Sequence, residues 1–438
     1  MKLLLKNFAK IKEADIQLGG LTVIAGDNNT GKSTLGKVLF TLFHSLRNMS
    51  QSVVAERKEF VLQFLWELYL NDEYRKLRPP SVARCMAKSR EVVDMLDAEE
   101  RSVESWNKTL LKKISQVLQL ELSQAEKDAL YKRIEEAWQH SEREIAKELA
   151  TRAFTQVFLR QINSFFSEDR DAIVVLQVQG KEKYICFQKN ECVDYLDAID
   201  LKEDAIYVDD PFLIEECFKN EWRQSANLQN RTLLEYLEAD DLPNAIDAIE
   251  IKKKNDVIFS LFKKIIPGDI VQDAYRFVLH SGVREQALNV ENWSTGIKSF
   301  AILKRLLENG ALHEKGVLVL DEPEIHLHPQ WQMYYAEILV LLQKVFNLTI
   351  LLTTHSPFFL DAIEIYTHKH GTSGKAKYYL SEYEGEQVVL RDVSNHIDQI
   401  YEKMANPLQV LESLQKTLLH LKRREDGNGN RKIPVIEL

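Results

Sequence analysis

The stretch GDNNTGKS, Gly26 to Ser33, constrains the fold of this chain more than any other. It satisfies G-x-x-x-x-G-K-[ST], follows the strand-like run LTVIAG, and opens a helix expected from about Lys32 to His44. Glycines at 26 and 31 let the backbone wrap closely and aim N–H groups at phosphate oxygens. The helix that follows adds a favourable partial positive charge at its N-terminus. Lys32 is placed to reach terminal phosphates and Ser33 to ligate Mg²⁺, so the loop predicts binding of a nucleoside triphosphate.

A phosphate loop of this kind needs a carboxylate at the end of a neighbouring strand. GVLVLDE supplies one, with four apolar residues, then Asp321, then Glu322. Asp321 suits the metal and Glu322 suits a general base that orients the attacking water. NWSTGIKSF contains a Ser-x-Gly turn, Ser294 to Gly296, that opens a helix and is a natural anion site. In TILLTTHSP, His355 ends the strand after the Asp-Glu strand, where it can sense a γ-phosphate.

The remainder of the chain reads as α/β with a helical interruption. KLLLKNF, ADIQL and LTVIAG are strand-like. From 48 to 167 the sequence turns charged and Leu-rich. Ser123 and Glu126 fit a capping box before a helix, with apolar residues at Leu130, Ile134, Trp138, Ile145, Leu149, Val157 and Ile162. Such a helical insertion is either a self-packed lobe or a partner-binding surface. Strands return at DAIVVLQVQ, KYICFQ and AIYVDD, and a second helical segment is expected over 211–268. Beyond it, strands and helices alternate: RFVLHS, a helix over 295–309, GVLVLD, a helix over 329–346, LTILLTT and the hairpin KYYLSEYEGEQVVLRD. Near-continuous apolar strands such as VLVL and TILL predict a parallel sheet buried on both faces. The expected division is 1–47 with 168–425 as one head, 48–167 as the insertion, and 426–438 as a flexible tail after terminal helices over 395–425.

The four elements, in this order, resemble the ABC-type ATPase superfamily: Walker A, a signature Ser-x-Gly, Walker B with a catalytic Glu, and a switch His. LLLKNFAKIKEADIQLGGLTVIAGDNNTGKST resembles the non-transporter branch that includes RecF, the chromosome-maintenance heads and the overcoming-lysogenization-defect (OLD) family. DEPEIHLHPQWQ resembles OLD-like and defence-associated ATPases of AAA_15 and AAA_21 type, including those of the Septu system and of retrons. AIYVDDPFLIEE and IYEKMANPLQVLE look similar to further segments of such proteins. The resemblance covers residues 1–45 and about 170–410, and it implies a mixed sheet with flanking helices, an ABC-type P-loop head carrying a helical insertion lobe.

It also implies a head-to-tail dimer, or a larger homo-oligomer, with composite ATP sites. Gly26, Asp27, Asn28, Asn29, Thr30, Gly31, Lys32, Ser33 and Thr34 of one subunit, with Asp321, Glu322 and His355, would face Ser294 and Gly296 of the other. Mg²⁺ would be held by Ser33 and Asp321, and Lys32, Glu322 and His355 would act on the γ-phosphate. Asp27 stands where Pro is frequent, and STGIKSF departs from the LSGGQ form of transporters. Gln177, Gln179 and Gln188 each lie on or beside a strand-like run, and none is assigned to a Q-loop.

Composition narrows the partners. A net charge of −9 argues against a chain tuned as a whole to nucleic acid, so any DNA contact would need a local basic patch. The four cysteines, Cys85, Cys186, Cys192 and Cys217, form no CxxC pair, which fits reduced thiols in the cytoplasm and not a zinc hook. No apolar run approaches a membrane span or a signal peptide. No DxD cluster follows His355, so a Toprim nuclease is not expected within the chain. The expected function is therefore an ATPase subunit of a bacterial defence or toxin-type complex. It would control a separate effector encoded nearby, an HNH or Toprim-type nuclease or a toxin. The alternatives are a RecF- or SMC-like repair ATPase acting directly on DNA and, less favoured, a transporter ATPase. His326 and His328 suggest either a zinc pair or residues of a loop, Glu324 to Pro329, that crosses a dimer interface toward the other site.

Overall fold

The computed structural model describes residues 1–73, 103–114, 122–166, 170–199, 201–219, 226–239, 256–273, 275–280 and 287–404, with isolated positions between them. The expected tail, most of the terminal helices beyond 404, and parts of the two helical segments lie outside these residues. The chain forms two compact units. One comprises 1–40, 164–167 and 205–438, the other 41–163 and 168–204. Residues 168–204, which the sequence places with the head, thus cluster with the helices.

In the first unit, β1 (Lys2–Phe8) and β2 (Ile11–Gln17) form an antiparallel hairpin whose buried positions alternate, as expected for strands with one face on a core. β3 (Leu21–Gly26) is buried at every position and leads through the phosphate loop into α1 (Lys32–Phe40). The predicted helix to His44 holds to Phe40 and then widens into a π-helical turn over Thr41–Ser45. Parallel pairing joins β3 to β12 (Thr349–Thr354), β12 to β11 (Val317–Asp321), and β11 to β7 (Ala205–Val208). On its other side β3 pairs in parallel with β13 (Ala376–Glu384), which turns back antiparallel into β14 (Gln387–Asp392), and β14 lies beside β2. The resulting order is β1-β2-β14-β13-β3-β12-β11-β7. The strand ending at Thr354 therefore lies between the phosphate-loop strand and the Asp-Glu strand.

Helices α6 (Leu228–Glu238), α7 (Thr295–Glu308), α8 (Pro329–Phe346) and α9 (Pro357–Lys369) bury apolar faces in the core of this unit. Pro329 opens α8 at a position where a missing N–H costs nothing, and Asn347 closes it in the left-handed region. The expected second helical segment is a 3₁₀ turn (Pro211–Glu216), α6, and helical residues at 256–265. A small antiparallel sheet of β8 (Asp269–Asp273), β9 (Arg276–His280) and β10 (Leu288–Asn289) follows it.

In the second unit, α2 (Met49–Glu73), α3 (Val103–Lys113) and α4 (Gln124–Gln139) build a separate small core, and α5 (Glu142–Phe158) follows them. Trp106 and Trp138 meet edge-on at 4.2 Å within it. The capping box of Ser123 and Glu126 is present, and Ser141 with Glu144 forms a second one that the sequence reading overlooked. α5 packs on the meander of β4 (Ala172–Val178), β5 (Lys181–Gln188) and β6 (Glu191–Asp197). Positive φ at Lys189 and Asn190 gives the β5–β6 turn the twist that suits a two-residue hairpin. Lys183, wholly buried, is satisfied by the Leu46 carbonyl at 2.6 Å and by Asp197 at 2.9 Å. No helix among the described residues is long and apolar enough to cross a membrane.

Candidate functional site

The C-terminal ends of β3, β12 and β11 bring the loop and its acids together. Gly26 has φ 153°, and a Cβ there would collide with the Ser381 carbonyl oxygen on β13; Gly31 has φ 75°, and a Cβ there would lie 3.2 Å from Ile11. Both glycines are thus required by backbone conformation, and Gly26 by close approach as well. Asn29, also left-handed at φ 66°, accepts from Lys10 Nζ at 2.7 Å through its side chain and from Tyr383 at 2.9 Å through its carbonyl. Ser381 donates to the Thr30 carbonyl at 2.5 Å, and Thr30 donates to that of Asp27 at 2.7 Å. Lys403 lies 3.7 Å from the Asp27 carboxylate. The loop is therefore fixed by two hairpins and by a C-terminal helical residue. Asn28 and Ser33 face solvent.

Lys32 is only 4% exposed and donates to the carbonyls of Gly26 at 3.0 Å and Asp27 at 2.8 Å. Its Nζ is also 3.3 Å from Glu322 Oε1. Glu322 sits at φ 49°, a strained position for a residue with a Cβ and one of order 1–3 kcal/mol uphill. Its N–H donates to Thr353 Oγ1 at 2.9 Å, which holds the turn. His355 Nδ1 lies 3.5 Å from Glu322 Oε2 and 3.9 Å from Glu324 Oε1. Asp321 accepts from Thr353 Oγ1 at 2.5 Å on Oδ1 and from the Tyr207 hydroxyl at 2.8 Å on Oδ2. Asp209, beyond Tyr207 at the end of β7, is held above the ordinary carboxylate range by lost hydration and by Asp321, with Lys37 opposing. Its side chain keeps solvent access, which limits that rise.

Lys32, Asp321, Glu322 and His355 thus converge, as the sequence motifs require. Ser294 and Gly296 make different contacts. Ser294 caps α7 by accepting from the Ile297 N–H at 3.4 Å, and a Cβ on Gly296 would lie 2.7 Å from the Trp331 ring. Gly296 is accordingly demanded by packing within its own chain, beside the His326 carbonyl. Lys298 in the same helix is buried, pairs with Glu215 at 2.6 Å, and lies over the Phe212 ring. The histidines of the Asp-Glu loop are placed separately. His326 meets Phe212 edge-on, and His328 caps α8 through Nδ1. Among the described residues, no group of three or more His, Cys, Asp or Glu side chains could hold a metal. A cation at the head would depend on hard oxygen donors, the Ser33 hydroxyl and the Asp321 carboxylate, together with the phosphates. That donor set suits Mg²⁺.

Glu324, at the start of the loop expected to run to Pro329, is anchored within its own chain. Glu324 is 1% exposed and accepts from Thr354 Oγ1 at 2.5 Å and from the His355 N–H at 3.1 Å, which ties the loop to the strand that carries His355. Its Oε2 is buried without a hydrogen-bond partner. Ile325 remains 53% exposed and Leu327 turns inward. Burial raises the Glu324 carboxyl pKa, and the Thr354 and backbone hydrogen bonds and nearby His355 pull it down only in part. The folded chain then binds this proton more tightly than the unfolded chain. Its contribution to stability is complete below the unfolded pKa and declines as pH rises toward the folded one. Glu324→Gln, which mimics the protonated acid, should gain thermal stability relative to the wild type as pH is raised from about 4 to 7. Melting curves across that range check it, and a constant difference would show that burial does not penalise this carboxylate.

The family described as "AAA ATPase domain", AAA_15, matches residues 1–360. Among solved structures, the SMC head domain from Thermotoga maritima is 12% identical, covering 90% of this chain and 98% of that one, with a TM-score of 0.37. An SmcHead bound to the C-winged helix domain of ScpA gives 12%, 91%, 98% and 0.36. An Smc head with an extended coiled coil, bound to the C-terminal domain of ScpA derived from Pyrococcus furiosus, gives 11%, 94%, 98% and 0.33. These likenesses are loose.

Proposed function

The chain belongs to the AAA ATPase domain family, and from that membership we propose that it binds and hydrolyses Mg²⁺-ATP at the cluster of Lys32, Asp321, Glu322 and His355. The observation that carries this reading is the 3.3 Å pairing of Lys32 with Glu322 at the mouth of a glycine-constrained phosphate loop. Lys32 neutralises charge on the transferring phosphoryl group. Glu322 accepts the proton of the attacking water as its oxygen bonds to the γ-phosphorus, and the bond to the ADP oxygen breaks. His355, beside Glu322, holds the γ-phosphate side of the site. Ser33 and Asp321 would hold Mg²⁺, which would supply charge neutralisation to the phosphates.

The site is completed by a second copy, which presents Ser294 at the N-terminus of α7 to the γ-phosphate. In its own chain the Ser294 hydroxyl is engaged in a cap and is not seen joining the Lys32 cluster. Ser294→Arg should leave the ATP affinity of one subunit within about twofold while lowering turnover by roughly 10²-fold, the scale of losing one transition-state donor. The lost cap costs only about 1 kcal/mol, so the helix should persist. ATPase rates and equilibrium binding of the purified variant separate these effects, and wild-type turnover would refute the composite site.

In the cell, the ATP-bound assembly holds a separate nuclease or toxin in check until a trigger alters hydrolysis. Support comes from the DEPEIHLHP block and its resemblance to defence ATPases. Co-expression with the neighbouring gene tests this: an effector that co-purifies with the ATP-bound chain supports it. Salt-sensitive stimulation of the ATPase by DNA, with no protein partner, would replace it with the DNA-acting reading.

A further inference from the structure

β11 runs between β7 and β12, and at its C-terminal end each neighbour contributes one hydroxyl to the same carboxylate. The register sets Tyr207 beside Val319 and Thr353 beside Asp321. Thr353 occupies Oδ1 of Asp321 and Tyr207 occupies Oδ2. A carboxylate on an aspartate swings broadly about its last torsion. One donor on each oxygen, arriving from opposite sides, removes that freedom and fixes the directions of the remaining lone pairs.

Tyr207 is 1% exposed, and its hydroxyl donates to Asp321 Oδ2 at 2.8 Å. A buried hydroxyl needs a partner, and Asp321 is the one it has. The ring has its own work. It meets Phe40 edge-on at 6.1 Å, and a Cβ built on Gly36 would lie 3.1 Å from its Cε2. Phe40 and Gly36 both belong to α1, the helix that begins at Lys32 and carries Ser33. Tyr207 therefore rests its ring on the helix bearing one oxygen donor and its hydroxyl on the other.

We propose that Tyr207 is a positioning residue that sets the orientation of Asp321 against the α1 helix for binding of the nucleotide-linked divalent cation. This rests on the reading that Asp321 and Ser33 hold that cation. A tyrosine kept for packing alone would be equally well served by phenylalanine, because every ring contact named above survives loss of the hydroxyl. The roles diverge only at the metal. Supporting groups behind a metal ligand are worth roughly 10- to 100-fold in metal affinity.

The test uses the full-length chain and Tyr207→Phe. Binding of Mn²⁺ is followed by electron paramagnetic resonance in the presence of AMP-PNP, and ATPase rates are followed as a function of Mg²⁺. The proposal expects Mn²⁺ half-saturation to rise about tenfold, nucleotide binding without metal to stay within about twofold, and the turnover deficit to be recovered at high Mg²⁺. Mn²⁺ half-saturation within about twofold of wild type would overturn it, as would a turnover loss that added metal does not restore. Failure of Tyr207→Phe to fold would overturn it too, by assigning the hydroxyl to fold stability. Wild-type chain that takes up no Mn²⁺ with AMP-PNP would refute the cation-site reading itself, and this role with it.

Discussion

Glu322→Gln should lower ATP turnover by about 10²- to 10⁴-fold while ATP binding persists. The amide keeps the shape of the side chain but cannot accept the proton of the attacking water. Loss of the charge has a second effect that follows from this structure. Glu322 is the anionic partner of Lys32 at 3.3 Å, so neutralising it frees the lysine for phosphate. ATP affinity should therefore hold or improve, and the variant should accumulate in its ATP-bound state. Single-turnover hydrolysis and equilibrium binding of a fluorescent ATP analogue separate the two effects. Wild-type turnover would remove Glu322 from the role of base.

Lys32→Ala should act on binding itself. The lysine is buried, with its three contacts directed to two loop carbonyls and to Glu322, so it is a preorganised cation at the point where terminal phosphates would lie. A hydrogen bond to a charged group contributes about 1.5–3 kcal/mol, which corresponds to roughly 10- to 150-fold in the dissociation constant for ATP. Alanine also leaves Glu322 without its cation, and its negative charge then repels phosphate. The measured loss should exceed that from removing the hydrogen bond alone. Calorimetric titration with ATP checks this, and an unchanged dissociation constant would contradict the assignment of the phosphate loop.

The parts of the site that could be read from the sequence are those carried by short contiguous motifs. Gly26 to Ser33 declares its loop because glycine, lysine and serine at that spacing answer to one geometry, and Asp321 with Glu322 follows an uninterrupted apolar strand. Tyr207 and Thr353 were not legible in the same way. Their importance depends on strand register, Tyr207 beside Val319 and Thr353 beside Asp321, and those pairings join segments far apart in the chain. Ser381 and Tyr383, which brace the phosphate loop, were recognised only as members of a hairpin for the same reason. The burial of Glu324 has no sequence signal of its own, because it becomes visible only once Thr354 and the His355 N–H are brought against it. The end of α1 shows a local limit as well, because apolar periodicity continues through Thr41–Ser45 while the backbone has already widened.

The central claim is that a nucleotide at this cluster is completed by a second copy of the chain. The most direct measurement is the solution mass of Glu322→Gln by light scattering, with ATP and Mg²⁺, with ADP, and without nucleotide. The mass should shift to that of a dimer or a higher even assembly with ATP alone, and should not shift when Lys32→Ala is added to the same chain. The same mass in all three conditions, with ATP demonstrably bound, would contradict it.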